Sequence, residues 1–155
     1  MVKYAMDQRP NTGEHADIRL WLRLLYCAGH IESALQSRLT AEFGMSLARF
    51  DLLSQLERAP NGLTMTELSR QMMVSNGATT SLVDRLAEDG LLQRSSHPSD
   101  RRTTIISLTG QGRARFLEIA REHEGWVIGL LEGLSAEAKA ELLSGLGALK
   151  QHLSS

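Results

Sequence analysis

A single cysteine, three prolines and no surplus of either charge are what this sequence of 155 residues offers least of, and each scarcity excludes something. With Cys27 alone there is no internal disulfide framework, no multi-cysteine zinc knuckle and no iron–sulfur cluster, and a reducing cytoplasm fits. His15, His30, His97, His123 and His152 are scattered, without His-x-x-x-His spacing or a Cys/His cluster, so neither a metal site nor a cofactor is expected. The longest aliphatic run, Trp126 to Leu131, is far shorter than the roughly 20 residues of a membrane span. Met1 to Gly13 holds Lys3, Asp7, Arg9 and Pro10 and no apolar stretch; it reads as a mobile tail, 1–13, and as neither signal nor anchor. Seventeen Lys and Arg against eighteen Asp and Glu give a net charge of −1, so attraction to a polyanion has to rest on local charge.

What is present is helical. Ile18, Trp21, Leu22, Leu25, Ile31, Leu35, Leu39 and Phe43 recur at helical spacing between Glu14 and Phe43 without a proline. At roughly 1.5 Å per residue such a helix extends about 45 Å, longer than a small domain is wide, and part of its apolar face needs a partner outside the core; dimerisation supplies one. Gly44 ends it, and Ser46 opens a second helix with a stripe of Leu47, Phe50, Leu53 and Leu56, stopped by Pro60-Asn61-Gly62. Thr64 and Glu67 have the spacing of a capping box for a short helix to about Met73. A further helix, Asn76 to Asp89, is expected to turn Ala78, Leu82 and Leu86 inward and Asn76, Thr79, Thr80 and Arg85 outward.

Two β-like segments follow, Leu91 to Ser95 and Thr103 to Leu108, flanking a polar tip from Ser96 to Arg102. Thr109 and Ser135 are placed to cap two last helices, the first through Phe116, Ile119 and Val127, the second through Leu142, Leu146 and Leu153. The expected fold is mainly α with a small β-hairpin wing: a winged helix-turn-helix lobe, 46–109, between dimerisation helices at 14–45 and 110–153, making one domain over 14–153. Charge is distributed unevenly. Residues 93–115 hold Arg94, Arg101, Arg102, Arg113 and Arg115 against Asp100, a net +4, whereas the last forty residues hold six Glu against three basic residues, a net −3.

Leu63-Thr64-x-x-Glu67-Leu68, the run Val74-Ser75-Asn76-Gly77-Ala78-Thr79-Thr80 leading to Val83-Asp84-Arg85-Leu86, then Gly90-Leu91 and Pro98-x-Asp100-Arg101-Arg102, resemble MarR-type transcriptional regulators over about residues 18–153. The resemblance implies a cytoplasmic, nucleoid-associated homodimer. Such a protein binds a pseudo-palindromic DNA operator, usually as a repressor released by a small-molecule effector or by oxidation.

Against that background the Asn76 helix, opened by Ser75 and Gly77, can bring backbone donors and its dipole to a phosphate. Asn76, Thr79 and Thr80 are the base-edge candidates, since Asn pairs with adenine N6 and N7 and a Thr methyl packs on thymine. Arg85, deeper in the helix, suits a phosphate, or a surface pair with Asp84 or Glu88. Asp100, Arg101 and Arg102 sit where a hairpin tip enters a minor groove. By analogy with the family, Arg102 is the inserted side chain and Asp100 orients it.

For an effector, by the same resemblance, Trp21, His30, Arg49 and Phe50 combine aromatic walls with a cation for a carboxylate, as an aromatic acid or its coenzyme A thioester requires; the alternative is that they are core and rim residues. Cys27 reads either as a redox switch or, well inside the first helix, as a packed thiol. Gly125, Gly129 and Gly133 share a helical face and suit close helix packing or flexibility. No nucleophile elbow, phosphate loop or dinucleotide fingerprint is present, so an enzyme is not expected. The remaining rival is a winged-helix interaction module without DNA binding.

Overall fold

Helix α1, Ala16–Phe43, is the longest element, and its two halves behave differently. Its C-terminal half buries Leu35 and Leu39, while Ile18, Trp21, Leu25 and Tyr26 of the other half stay exposed. This computed structural model describes residues 15–72 and 74–155; the tail expected over 1–13 lies outside them. Gly44 closes α1 in the left-handed region, its N–H donating to the Thr40 carbonyl at 3.1 Å.

Helix α2, Leu47–Glu57, starts where the Ser46 hydroxyl accepts the Arg49 N–H and buries Phe50, Leu52, Leu53 and Leu56. The following turn is closed by the Gly62 N–H donating to the Ala59 carbonyl at 2.8 Å. Only glycine suits position 62: φ is 79°, and an added Cβ would lie 2.6 Å from the Ile106 carbonyl oxygen. That proximity reflects a feature the sequence pattern missed. Leu63–Thr64 is a two-residue strand, β1, too short to carry any alternation, and it pairs antiparallel with Ile106 and Ile105.

The capping box forms as expected. The Thr64 N–H donates to Glu67 Oε2 at 2.8 Å and the Glu67 N–H to Thr64 Oγ1 at 3.2 Å, which opens helix α3, Met65–Met72. Helix α4, Asn76–Glu88, is capped by Ser75, whose hydroxyl accepts the Ala78 N–H. Strands β2, Leu92–His97, and β3, Asp100–Leu108, complete a three-stranded antiparallel sheet in the order β1-β3-β2. Both strands reach further than expected, so only Pro98 and Ser99 separate them and Arg101 and Arg102 belong to β3.

Thr109 ties the base of this wing to the next helix. Its hydroxyl donates to the Gly90 carbonyl at 2.7 Å and accepts the Gly112 N–H at 2.9 Å. Helix α5, Gly110–Leu131, buries Phe116, Ile119 and Trp126, and helix α6, Ala136–Leu153, is capped by Ser135. The core collects Leu39, Leu52, Leu53, Leu56, Leu68, Val83, Leu86, Ile106 and Ile119 from six elements, each side chain contributing about 1.5–3 kcal/mol through burial.

Helix α6 contributes nothing to that core. None of its residues is buried, and Leu142, Leu143, Leu146 and Leu153 are exposed, as are Ile128 and Leu130 near the end of α5. The glycine positions 125, 129 and 133 face open space, with no side chain or neighbouring element within 4 Å of where a Cβ would stand, so the packing expected for them is not made among the described residues of one chain. Among the described residues no helix is long and apolar enough to cross a membrane.

Candidate nucleic-acid interface

The outer face of α4 is decided by where its apolar stripe falls. At about 100° per residue, Thr79, Leu82, Val83 and Leu86 cluster within one sector, whereas Ala78 lies about 80° from Leu86. The structure follows this geometry. Thr79, Val83 and Leu86 are buried, Leu82 is half-buried and Ala78 is exposed. The expectation that Thr79 addresses a base edge is therefore corrected: its hydroxyl is enclosed against Ser69 of α3, 2.8 Å away.

Ser75, Asn76, Thr80 and Arg85 do lie on the exposed side. The Thr80 hydroxyl donates to the Asn76 carbonyl at 2.8 Å, so it shows its methyl group and its lone pairs outward. That suits a thymine methyl or an exocyclic amine donor. Gly77 is open, with only Ser75 Oγ at 4.0 Å from a built Cβ, and nothing described screens the start of the helix. Arg85 has its nearest anion at Asp89, Nε to Oδ2 being 4.0 Å, and neither Asp84 nor Glu88 is its partner. Asp84 is instead taken by Arg94 of β2, an ion pair that ties α4 to the wing.

At the tip, the ladder between the strands is interrupted. Ser96 pairs with Thr104 but His97 pairs with Asp100, so Arg101, Arg102 and Thr103 are thrown out of register as a bulge. Asp100 holds that bulge from within. One carboxylate oxygen accepts the Arg102 backbone N–H at 3.0 Å and the other accepts the Thr103 hydroxyl at 3.2 Å. The carboxylate thus fixes the backbone that carries Arg102, and not its guanidinium. His97 Nδ1 accepts the Ser99 N–H at 3.0 Å and closes the other side of the turn.

The net +4 of this segment is not all available to a ligand. Arg94 is paired with Asp84, Arg113 with Glu57 at 3.2 Å and Arg115 with Glu118 at 2.9 Å. Those partners come from elsewhere in the chain, which a count over 93–115 omits. Arg101 and Arg102 are exposed, and among the described residues neither guanidinium meets an acceptor. They are the cations the wing presents outward.

In the single chain the four residues expected around an effector share no described cleft. Trp21 is 57% exposed, His30 is exposed and stacks on Tyr26 at 5.9 Å, and Phe50 is a core residue stacked on Phe116 at 5.5 Å. Arg49 alone lines a cleft, of about 450 Å³, between the ends of α1 and α4 and the start of α5. Its guanidinium is already engaged by the Gly44 carbonyl at 3.0 Å and the Ser46 hydroxyl. His123 packs against Phe50 at 4.7 Å and does not meet His30; burial lowers its pKa below the ordinary histidine value. Cys27 is exposed on α1 in the single chain, so the packed thiol is not formed among the described residues of one copy.

Sequence reasoning missed Ser69, a buried hydroxyl behind the helix-turn-helix. A signal was there: Met65, Leu68, Ser69 and Met72 share one helical face, so the pattern itself put a serine on the apolar side.

The MarR family model matches residues 45–104, which run from the start of α2 into the wing. The transcriptional regulator PecS of Dickeya dadantii is 32% identical over 125 residues, covering 79% of this chain and 75% of PecS. Among solved structures, a MarR family transcriptional regulator from Silicibacter pomeroyi superposes with a TM-score of 0.78 at 30% identity, covering 94% of this chain and 99% of that one. FabT of Streptococcus pneumoniae, solved in complex with DNA, gives 0.73 at 25% identity, with 88% and 96% covered. With its helix-turn-helix, its arginine-bearing wing and these likenesses, the chain belongs to the MarR family of winged helix-turn-helix transcriptional regulators.

Proposed function

We propose that the chain works as a homodimer on a pseudo-palindromic operator. Its two copies of α4 enter successive major grooves and its two wings reach the neighbouring minor grooves. The observation that carries this reading is the pair of wing arginines, Arg101 and Arg102, without partners among the described residues, on a bulge that Asp100 holds in shape. A narrow minor groove concentrates negative potential and attracts a guanidinium. A wing whose arginines were all paired internally would suit the rival interaction module instead.

Dimerisation is supported by the uncovered apolar faces of α6, of the end of α5 and of the N-terminal half of α1. In this reading a dimer that buries them carries its two α4 helices on one side, where half-sites roughly 34–36 Å apart can be read together. In this reading the protein performs no catalysis; it acts on chromosomal DNA in the cytoplasm and represses by occupying the operator. A small effector releases it by binding one spacing of the two lobes better than the other, and only that differential affinity shifts the population.

A hydroxyl-radical footprint on a duplex selected from a random-sequence pool tests the proposal. Two protected segments related by a dyad and about one helical turn apart are expected. A single protected segment, or none, contradicts it.

A further inference from the structure

Thr79 stands on the recognition helix yet is fully buried, and Ser69 of α3, 6% exposed, lies against it. The Ser75 carbonyl accepts the Thr79 hydroxyl at 3.1 Å as well as the Thr79 backbone N–H at 3.0 Å. A carbonyl has no proton to give, so the Thr79 proton is committed there, and the 2.8 Å contact between the two hydroxyls has Ser69 as its donor. Ser69 is engaged at its other end too, its carbonyl accepting the Val74 N–H at 3.2 Å. One residue of α3 therefore grips the chain on both sides of the turn, at Val74 and again at Thr79.

Apolar contact alone leaves a helix free to roll on its neighbour, because burial has no direction, whereas hydrogen bonds fail within a few tenths of an ångström. With side chains reaching about 5–6 Å from the axis, a roll of about 20° carries their tips roughly 2 Å. That is enough to move Asn76 and Thr80 out of reach of the base edges they would read. We infer that the relay from the Ser69 hydroxyl through the Thr79 hydroxyl to the Ser75 carbonyl sets the roll of α4, so that Ser69 and Thr79 are positioning residues that govern operator discrimination without touching DNA. This rests on the DNA-binding reading above. Their loss is expected to reduce sequence discrimination while sparing the affinity that comes from phosphate contacts.

The test uses the full chain, one duplex selected by the unaltered protein and a scrambled duplex of equal length and composition. Thr79→Val keeps the branched shape and removes both hydroxyl bonds; Ser69→Ala removes the donor and leaves the Thr79 bond to Ser75; Thr79→Ser keeps both hydroxyls. Ser69→Ala and Thr79→Val are each expected to lower the ratio of selected to scrambled affinity at least tenfold, with scrambled-duplex affinity and its salt slope within twofold of the unaltered protein. Thr79→Ser should restore the ratio, and the double variant should be no worse than the worse single one. An unchanged ratio in Ser69→Ala overturns the inference and leaves the DNA-binding reading standing. Parallel loss of affinity for both duplexes overturns it in favour of a folding role. If the unaltered protein selects no sequence, the DNA-binding reading falls, and this inference with it.

Discussion

The Asp100 carboxylate accepts the backbone N–H of Arg102 at 3.0 Å while the Arg102 guanidinium has no described partner, so an anion shapes the loop that presents a cation. Two effects of opposite sign follow. Charge alone says that Asp100→Ala strengthens DNA binding, by removing a negative group beside two arginines. Geometry says that it weakens binding, by releasing the bulge. Geometry is expected to win, with a loss of threefold or more at about 0.15 M salt in an anisotropy titration; a gain in affinity would reverse the role given to Asp100.

Arg102→Ala is expected to reduce operator affinity at least tenfold and to lower the slope of log K against log salt by about one, since one cation held in the negative potential of the minor groove is lost. Its thermal unfolding should match the parent, because the side chain is exposed and holds nothing in place. Unchanged affinity in a gel-shift titration removes Arg102 from the interface.

Gly112 is where α5 crosses the base of the wing. A Cβ there would lie 1.9 Å from the Leu91 carbonyl oxygen, and the obstacle is backbone, which cannot swing away. Gly112→Ala is expected to destabilise the fold by about 2–3 kcal/mol, read as a lowered midpoint in denaturant. A shift below about 0.5 kcal/mol would mean that the helix and the wing are further apart than described.

Leu143 of α6 is 75% exposed in the single chain. In a monomer Leu143→Glu is a surface change worth no more than about 0.5 kcal/mol. In a dimer formed through α6 it buries an unpaired carboxylate. Sedimentation is expected to show dissociation of Leu143→Glu at concentrations where the parent is dimeric, with operator affinity lost alongside. A variant that stays dimeric rules this helix out of the interface.

His123 is packed on Phe50 and near Trp126, and burial holds its pKa below about 6.5. The folded state thus favours the neutral ring. The unfolded chain takes up the proton first as pH falls, so this contribution to stability is complete above pH 6.5 and is lost as pH drops through the folded value. His123→Phe should flatten the decline of stability over that range in urea melts. A variant with the same pH profile as its parent excludes His123 as the source.

Much of this architecture was legible in local chemistry. Ser46, Thr64 with Glu67, Ser75, Thr109 and Ser135 each mark a helix start by side-chain type and spacing, and each makes its capping bond. What escaped depends on residues far apart in sequence. Strand β1 exists because β3 lies beside it, and Arg113 is neutralised by Glu57, fifty-six positions away. Steps of four from Ala78 suggest an outward Thr79, but each such step overshoots a helical turn by about 40°, which turns Ala78 out and Thr79 in. Tertiary packing also acts on the effector quartet: Phe50 stacks in the core and the Arg49 guanidinium is held at the end of α1, which residue type alone does not reveal.

The central claim is that this protein reads a DNA sequence with α4 and the wing, and competitive anisotropy titration of a selected duplex against its scrambled counterpart, at two salt concentrations, tests it most directly. The account predicts a preference of about a thousandfold for the selected duplex, with binding of both weakening steeply as salt rises. Equal affinity for the two duplexes, or binding indifferent to salt, would contradict it.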